Sequence, residues 1–221
     1  MGEKAKAAIL ISGRGTNMEA LIRSTQEKNS PAQIAAVISN RPEALGLKIA
    51  QALGVEALCI DHMDYTARED FEREIDRHCR DRAIDLILCA GFMRRITAGF
   101  VTRWRGLLVN IHPSLLPCYP GLHTHERALK DQVRIHGCTV HFVTADVDCG
   151  PIIAQAAVPV MPGDTEETLA ERVLAQEHRL YPMVLRWLAS GLVRLEDNRV
   201  TYGFEIAREP ASLYAPRAAK R

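Results

Sequence analysis

The chain of 221 residues has no apolar run approaching the roughly 20 residues that a membrane helix needs, which excludes a helical span. Its start, Met1-Gly2-Glu3-Lys4-Ala5-Lys6, leads into a strand-like run without a signal-peptide pattern, so a cytoplasmic location is expected. Charge of one sign is also missing. Lys plus Arg number 28 against 27 Asp plus Glu, and a formal charge of +1 lacks the broad attraction of a nucleic-acid binder. The six cysteines (Cys59, Cys79, Cys89, Cys118, Cys138, Cys149) contain no CxxC pair, which argues against a zinc knuckle or a disulfide framework. There is no HExxH, no GxSxG and no GK[ST], so the common zinc-hydrolase, serine-hydrolase and P-loop signatures are absent. Neither an internal repeat nor a dividing linker is found.

What is present is alternation. With 47% apolar residues the chain suits one large domain, or one with a small appendage. Strands are expected at residues 7–11, 34–38, 57–60, 84–89 and 107–111, and later at 139–143 and 152–160. Between them fall an amphipathic helix at 18–28, a second beginning at Pro42 and a charged one at 66–82. This pitch predicts an open α/β fold: a single, mainly parallel twisted sheet with helices on both faces. A short helix near 126–131 follows. A long one runs from the capping segment Asp164-Thr165-Glu166-Glu167 towards Ala189, with Pro182 predicting a kink or break. Residues 193–195 and 199–202 flank Asp197-Asn198 as a small hairpin, and the rest reads as a frayed tail. The expected division is therefore 1–190 for the α/β domain and 191–221 for the hairpin and tail.

The stretch Asn110-Ile111-His112-Pro113-Ser114-Leu115-Leu116-Pro117 leaves a buried strand and enters a loop. Asn110 and His112 are two residues apart, so they share one face at the strand's carboxyl end, where open α/β sheets bind ligands. An amide and an imidazole there could grip a carbonyl oxygen as it gains charge, the requirement for acyl transfer. Ser114 reads as a turn residue.

Three further signals stand beside it. Ser12-Gly13-Arg14-Gly15-Thr16-Asn17 lies between strand and helix, where backbone amides suit a phosphate and a structural turn is equally compatible. Met18 in place of glycine and Ser39-Asn40-Arg41 in place of an acidic residue disfavour NAD, whereas Arg41 keeps a 2′-phosphate open. The histidines His112, His123, His125, His136 and His141 fall close together but lack metal-ligand spacing, so no metal is expected and they read as structural or surface groups. Asp148 precedes Cys149-Gly150-Pro151, a turn-forming context in which a carboxylate near an imidazole would favour its protonated form. Cys118 and Cys149 read as small loop residues.

The loop 11–17, Ala90-Gly91-Phe92-Met93-Arg94, the stretch 110–117, Tyr119-Pro120-Gly121-Leu122-His123-Thr124-His125 and the stretch 141–148 occur in order. Together they resemble the phosphoribosylglycinamide formyltransferase family from the first strand to about Pro182. The resemblance implies a Rossmann-like formyltransferase fold with antiparallel C-terminal strands. It also implies transfer of a formyl group from 10-formyltetrahydrofolate, a co-substrate, to the amine of glycinamide ribonucleotide in purine biosynthesis. By the same resemblance Asn110 would hold the formyl oxygen, His112 would stabilise the oxyanion and donate a proton, and Asp148 would favour the protonated imidazole and help move protons. Gly15, Thr16 and Asn17 would bind the ribonucleotide phosphate, and Glu177 the ribose hydroxyls. The folate would lie against Met93, Arg94, Arg95, Ile96, Val101 and Leu108, reach Asn110, Val143, Thr144 and Asp148, and be recognised by Arg68.

Two departures stand out. Cys149 replaces a glycine of a common Asp-Gly-Gly-Pro loop, so the local path could differ. Leu174 lies one turn before Glu177, where relatives often carry a polar residue. Three other functions compete: methionyl-tRNA formyltransferase, which normally has a further C-terminal domain; formyltetrahydrofolate hydrolase, which usually has a further N-terminal one; and a non-catalytic nucleotide-binding module. Oligomeric state is not fixed by the sequence, and a homodimer is compatible with it.

Overall fold

The computed structural model describes residues 3–204. Five parallel strands form most of one sheet: β1 (Ala5–Ile11), β2 (Ala32–Ser39), β3 (Glu56–Cys59), β4 (Leu86–Cys89) and β5 (Leu108–His112). Two antiparallel strands, β6 (Ile135–Phe142) and β7 (Ile152–Pro159), complete it in the order β3-β2-β1-β4-β5-β6-β7. The order reverses between β1 and β4, which is the switch point where such sheets open a crevice.

Helices cover both faces because alternate residues of each strand point to opposite sides. Ile9 and Ile11 of β1, with Val109 and Ile111 of β5, meet α1 (Thr16–Thr25), α2 (Leu45–Ala52), α5 (Thr124–Lys130) and α6 (Glu166–Ala189). Ala8, Leu10 and Leu108 face α3 (Arg68–Asp81) and α4 (Ala98–Arg103) through Phe71, Ile75 and Phe100. A second small sheet pairs β8 (Val193–Glu196) with β9 (Arg199–Tyr202). It packs back on the main sheet. The Tyr202 hydroxyl donates to the Ile153 carbonyl at 2.7 Å, and Arg105 donates to Asn198 at 2.7 Å. The tail expected beyond it, residues 205–221, lies outside the described residues.

The structure corrects several local expectations. Helix α2 starts at Leu45 rather than at Pro42, since Ala44 is extended and residues 42–43 form a turn. Helix α4 was not anticipated: it is short and holds Gly99, and its cap Thr97 is anchored by Glu72 of α3, whose carboxylate accepts both the Thr97 backbone N–H and its hydroxyl. Helix α6 continues without a break through Pro182. A proline inside a helix costs about 3 kcal/mol, and burial of Tyr181, Val184 and Leu185 around it offsets that loss. Its start is a capping box in which Thr165 and Thr168 satisfy each other's backbone N–H groups. The Tyr181 hydroxyl lies 3.0 Å from the Cys89 carbonyl and 3.1 Å from that of Val109, so its one proton bridges the end of β4 and the first half of β5.

Candidate active site

At the switch point a cleft of about 280 Å³ is lined by residues 12–17 after β1, Arg41 after β2, and Ala90, Gly91 and Met93 after β4. Gly15 has φ +76°, and a Cβ there would stand 3.1 Å from Met18 Cε and 3.2 Å from Gly46 Cα. Only glycine fits that turn, and Met18, standing where a dinucleotide fingerprint has its third glycine, is fully buried. The first residues of α1 follow at once, so unpaired helix amides face the cleft. Asn17 donates to the Glu177 carboxylate at 2.7 Å, joining α1 to α6 across the molecule. Burial pushes the Glu177 carboxyl up from its ordinary value, and the Asn17 bond opposes that. The Asn17 Oδ1 atom is buried and has no partner among the described residues. Residues 15–17 and Glu177 are thus brought together.

A second polar cluster stands at the end of β5. Antiparallel pairing sets His141 of β6 opposite Asn110, and the loop between β6 and β7 returns Asp148 to the same place. His112 is 6% exposed and has an acceptor at each ring nitrogen. Nε2 lies 2.9 Å from the Tyr119 carbonyl, which can only accept, and Nδ1 lies 3.4 Å from Asp148 Oδ2. A ring protonated on both nitrogens donates at both ends. Asp148 is itself held, because Oδ2 accepts the Gly121 backbone N–H at 2.8 Å; its Oδ1 lies 3.7 Å from His141 Nε2, beyond hydrogen-bond distance.

His141, a structural or surface histidine by its sequence pattern, belongs to this polar cluster. Its Nδ1 donates to the Phe142 carbonyl at 2.9 Å. Burial lowers its pKa, with a smaller contribution from His112, against the raising effects of Phe142 and Asp148. The neutral ring therefore offers Nε2 as an acceptor to Asn110 Nδ2, 3.2 Å away. This fixes the amide's orientation and leaves its second N–H for a ligand. A polar ring in an otherwise buried strand was the available signal.

Beside this cluster Ile96, Val101, Leu108 and Val143 share one apolar surface with Phe71 and Phe92. The Arg94 guanidinium lies 6.0 Å from the centre of the Phe71 ring, and its buried Nε has no partner among the described residues. Met93 is 63% exposed. Arg68 and Arg95 are also exposed and form no ion pair among the described residues, so neither is drawn into the polar cluster. Thr144 turns its hydroxyl to the Asp146 carbonyl at 3.1 Å and shapes the loop.

Cys149 is tolerated for a visible reason. The left-handed angle of its loop falls on Asp148, φ +54°, and the tight approach falls on Gly150, where a Cβ would stand 1.7 Å from the Phe142 carbonyl oxygen. Ser114 donates to the Cys118 carbonyl at 2.7 Å, a turn contact. Burial pushes the thiols of Cys79, Cys89 and Cys138 up to about 12. Among the described residues, no group of three or more His, Cys, Asp or Glu could hold a metal ion, and no helix is long and apolar enough to cross a membrane.

Residues 5–185 match the family described as formyl transferase. The phosphoribosylglycinamide formyltransferase of Escherichia coli (strain K12) is 42% identical over 190 residues, covering 86% of this chain and 90% of that protein. The trifunctional purine biosynthetic protein adenosine-3 of Homo sapiens is 49% identical over 196 residues, which is 89% of this chain and 19% of that protein. The chain thus spans about a fifth of the length of that trifunctional relative. Among solved structures, glycinamide ribonucleotide transformylase 1 from Symbiobacterium toebii is similar with a TM-score of 0.88 and 44% identity, over 91% of this chain and 95% of that one.

Proposed function

The chain belongs to the formyl transferase family, and we propose from that premise that it moves the formyl group of 10-formyltetrahydrofolate to the amine of glycinamide ribonucleotide, a step of purine biosynthesis. The observation that carries this reading is the joined set Asn110, His112, His141 and Asp148 at the strand ends, beside a cleft built for a phosphate. In the reaction the substrate amine forms a bond to the formyl carbon, and the bond from that carbon to the folate nitrogen breaks. One proton passes from the attacking amine to the leaving nitrogen.

Each residue has a physical part in that sequence. The Asn110 N–H left over from His141 is a donor for the oxygen that becomes negative, where fixed dipoles lower the barrier most, and the His112 ring becomes the second donor by exchanging its bond to the Tyr119 carbonyl for one to that oxygen. Asp148 orients His112 and, as the nearby carboxylate, receives and passes on the amine proton. Gly15, Thr16 and Asn17 hold the phosphate, and Glu177 accepts from the ribose hydroxyls. The apolar surface of Ile96, Val101, Leu108 and Val143 fits a flat heterocycle, and the unpartnered Arg94 Nε fits a polar group on it. Met93, Arg95 and Thr144 border the folate, and Arg68 meets its anionic end. The 1–190 segment carries all of these groups, with the β8–β9 hairpin beside it.

A spectroscopic assay with 10-formyltetrahydrofolate tests the reading. Turnover with glycinamide ribonucleotide, and none with formyl-accepting tRNA or without acceptor, is expected. Turnover with tRNA points to a methionyl-tRNA formyltransferase, turnover without acceptor to a hydrolase, and silence in all three to a binding module.

A further inference from the structure

Two cations beside the phosphate cleft have no part in the scheme above. Arg14 sits on the glycine loop and Arg41 follows β2, yet both line the same cleft. The backbone explains how they meet. Gly46 at the start of α2 donates to the Gly13 carbonyl at 3.1 Å, and a Cβ on Gly46 would stand 3.2 Å from that oxygen, so α2 abuts the loop. The turn that feeds α2 is fixed in turn by Ser39, whose hydroxyl accepts the Arg41 N–H at 3.0 Å and donates to the Arg41 carbonyl at 2.8 Å.

The side chains are held quite differently. Arg14 is exposed and has neither an ion pair nor a side-chain hydrogen bond among the described residues. Arg41 meets only Glu43, at 3.9 Å, with side-chain exposures of 52% and 70%, and such a pair contributes little. By contrast Arg77, Arg82 and Arg172 each hold a carboxylate at 3.0 Å or less. A phosphate dianion in the cleft would meet backbone amides and a helix start worth only about half a positive charge. Two guanidinium groups, Arg14 without a partner among the described residues and Arg41 only loosely paired with Glu43, would complete the neutralisation, and their planar forks match phosphate oxygens.

We infer that Arg14 and Arg41 are specificity-determining residues that hold the phosphate of the acceptor from outside the glycine loop and make the protein select a phosphorylated amine over its dephosphorylated counterpart. This rests on the ribonucleotide reading given above. It predicts that each of Arg14→Ala and Arg41→Ala raises KM for glycinamide ribonucleotide about tenfold, and the pair together about a hundredfold. The kcat value should change by less than about threefold, because the contact is present before and after the chemical step. Arginine-to-lysine variants should recover part of the loss, and added salt should weaken the wild type more than the double variant.

Glycinamide riboside, which lacks the phosphate, is the control acceptor. The wild type should discriminate strongly between the two acceptors and the double variant should lose that discrimination. An unchanged KM for the ribonucleotide, or equal rises for both acceptors, overturns the inference. Calorimetric titration of ribonucleotide into folate-free protein separates it from the reading beneath it. If the wild type binds the ribonucleotide through these arginines but forms no product, the formyl-transfer reading fails and the inference stands. If product forms and the double variant binds as tightly as the wild type, the inference fails and the reading stands.

Discussion

The two halves of the site are built on different plans. The cleft proposed to hold the phosphate is mostly local: residues 12–17 run consecutively, and a single turn with one obligatory glycine at Gly15 presents them to the cleft. The half proposed to be catalytic is assembled from distant pieces. Asn110 and His112 come from β5, His141 from β6, Asp148 from the following loop, and the Tyr119 carbonyl and Gly121 amide from the loop after β5. Binding an anion requires only donors that point inward, which one tight turn supplies. Steering a proton requires donors and acceptors in a set sequence, which here depends on antiparallel register.

The sharpest way to break this contrast is to separate binding from chemistry. His112→Ala or Asn110→Ala should lower kcat about a hundred- to a thousandfold while ribonucleotide affinity, read by calorimetry, stays within about threefold. Equal losses in both would mean that the halves are not distinct. The complementary change is Glu177→Ala, which should raise KM for the ribonucleotide about tenfold with a smaller effect on kcat.

Two buried titratable groups, His136 of β6 and Glu177 of α6, should also differ towards acid. Burial, with help from neighbouring His125, pushes His136 down to about 4 from 6.5, and its Nε2 lies 3.2 Å from His125 Nδ1. The unfolded chain takes up this proton near pH 6.5 and the folded chain only near 4, so the associated stability is full above about 6.5 and is lost as pH falls through that window. His136→Gln should flatten the acid side of a plot of Tm against pH. Glu177 acts with the opposite sign, since its raised pKa means that stability falls as pH climbs from the ordinary glutamate value through the raised one. The smallest effect belongs to Cys149→Gly. The strained angle lies on Asp148 and the close approach on Gly150, so this change should cost no more than about 0.5–1 kcal/mol, through chain entropy alone, in a denaturant titration.

The same contrast explains what the sequence makes legible. The parallel core is readable because each strand is a short apolar run and each helix has its own period, and the glycine loop is readable because its residues are adjacent. The pairing of Asn110 with His141 is not written in spacing, since it follows from the antiparallel register of β5 and β6. Helix α4 escapes notice because its anchor is Glu72, on another helix. Pro182 misleads in the other direction: local chemistry argues for a break, and the buried residues around it keep the helix intact. The start of α2 is displaced because Gly46 is fitted against the Gly13 carbonyl, a contact between segments that no local pattern encodes.

The Tyr181 bridge has a consequence for how accurately the two substrates are brought together. Tyr181 stands four residues after Glu177 on α6, so about 6 Å of rigid helix separates the group proposed to meet the ribose from the hydroxyl that bridges β4 and β5. On the proposed reading, one helical turn then sets the spacing between the ribose contact and the sheet that carries the polar cluster. Loops can breathe around such a gauge without changing the length it measures.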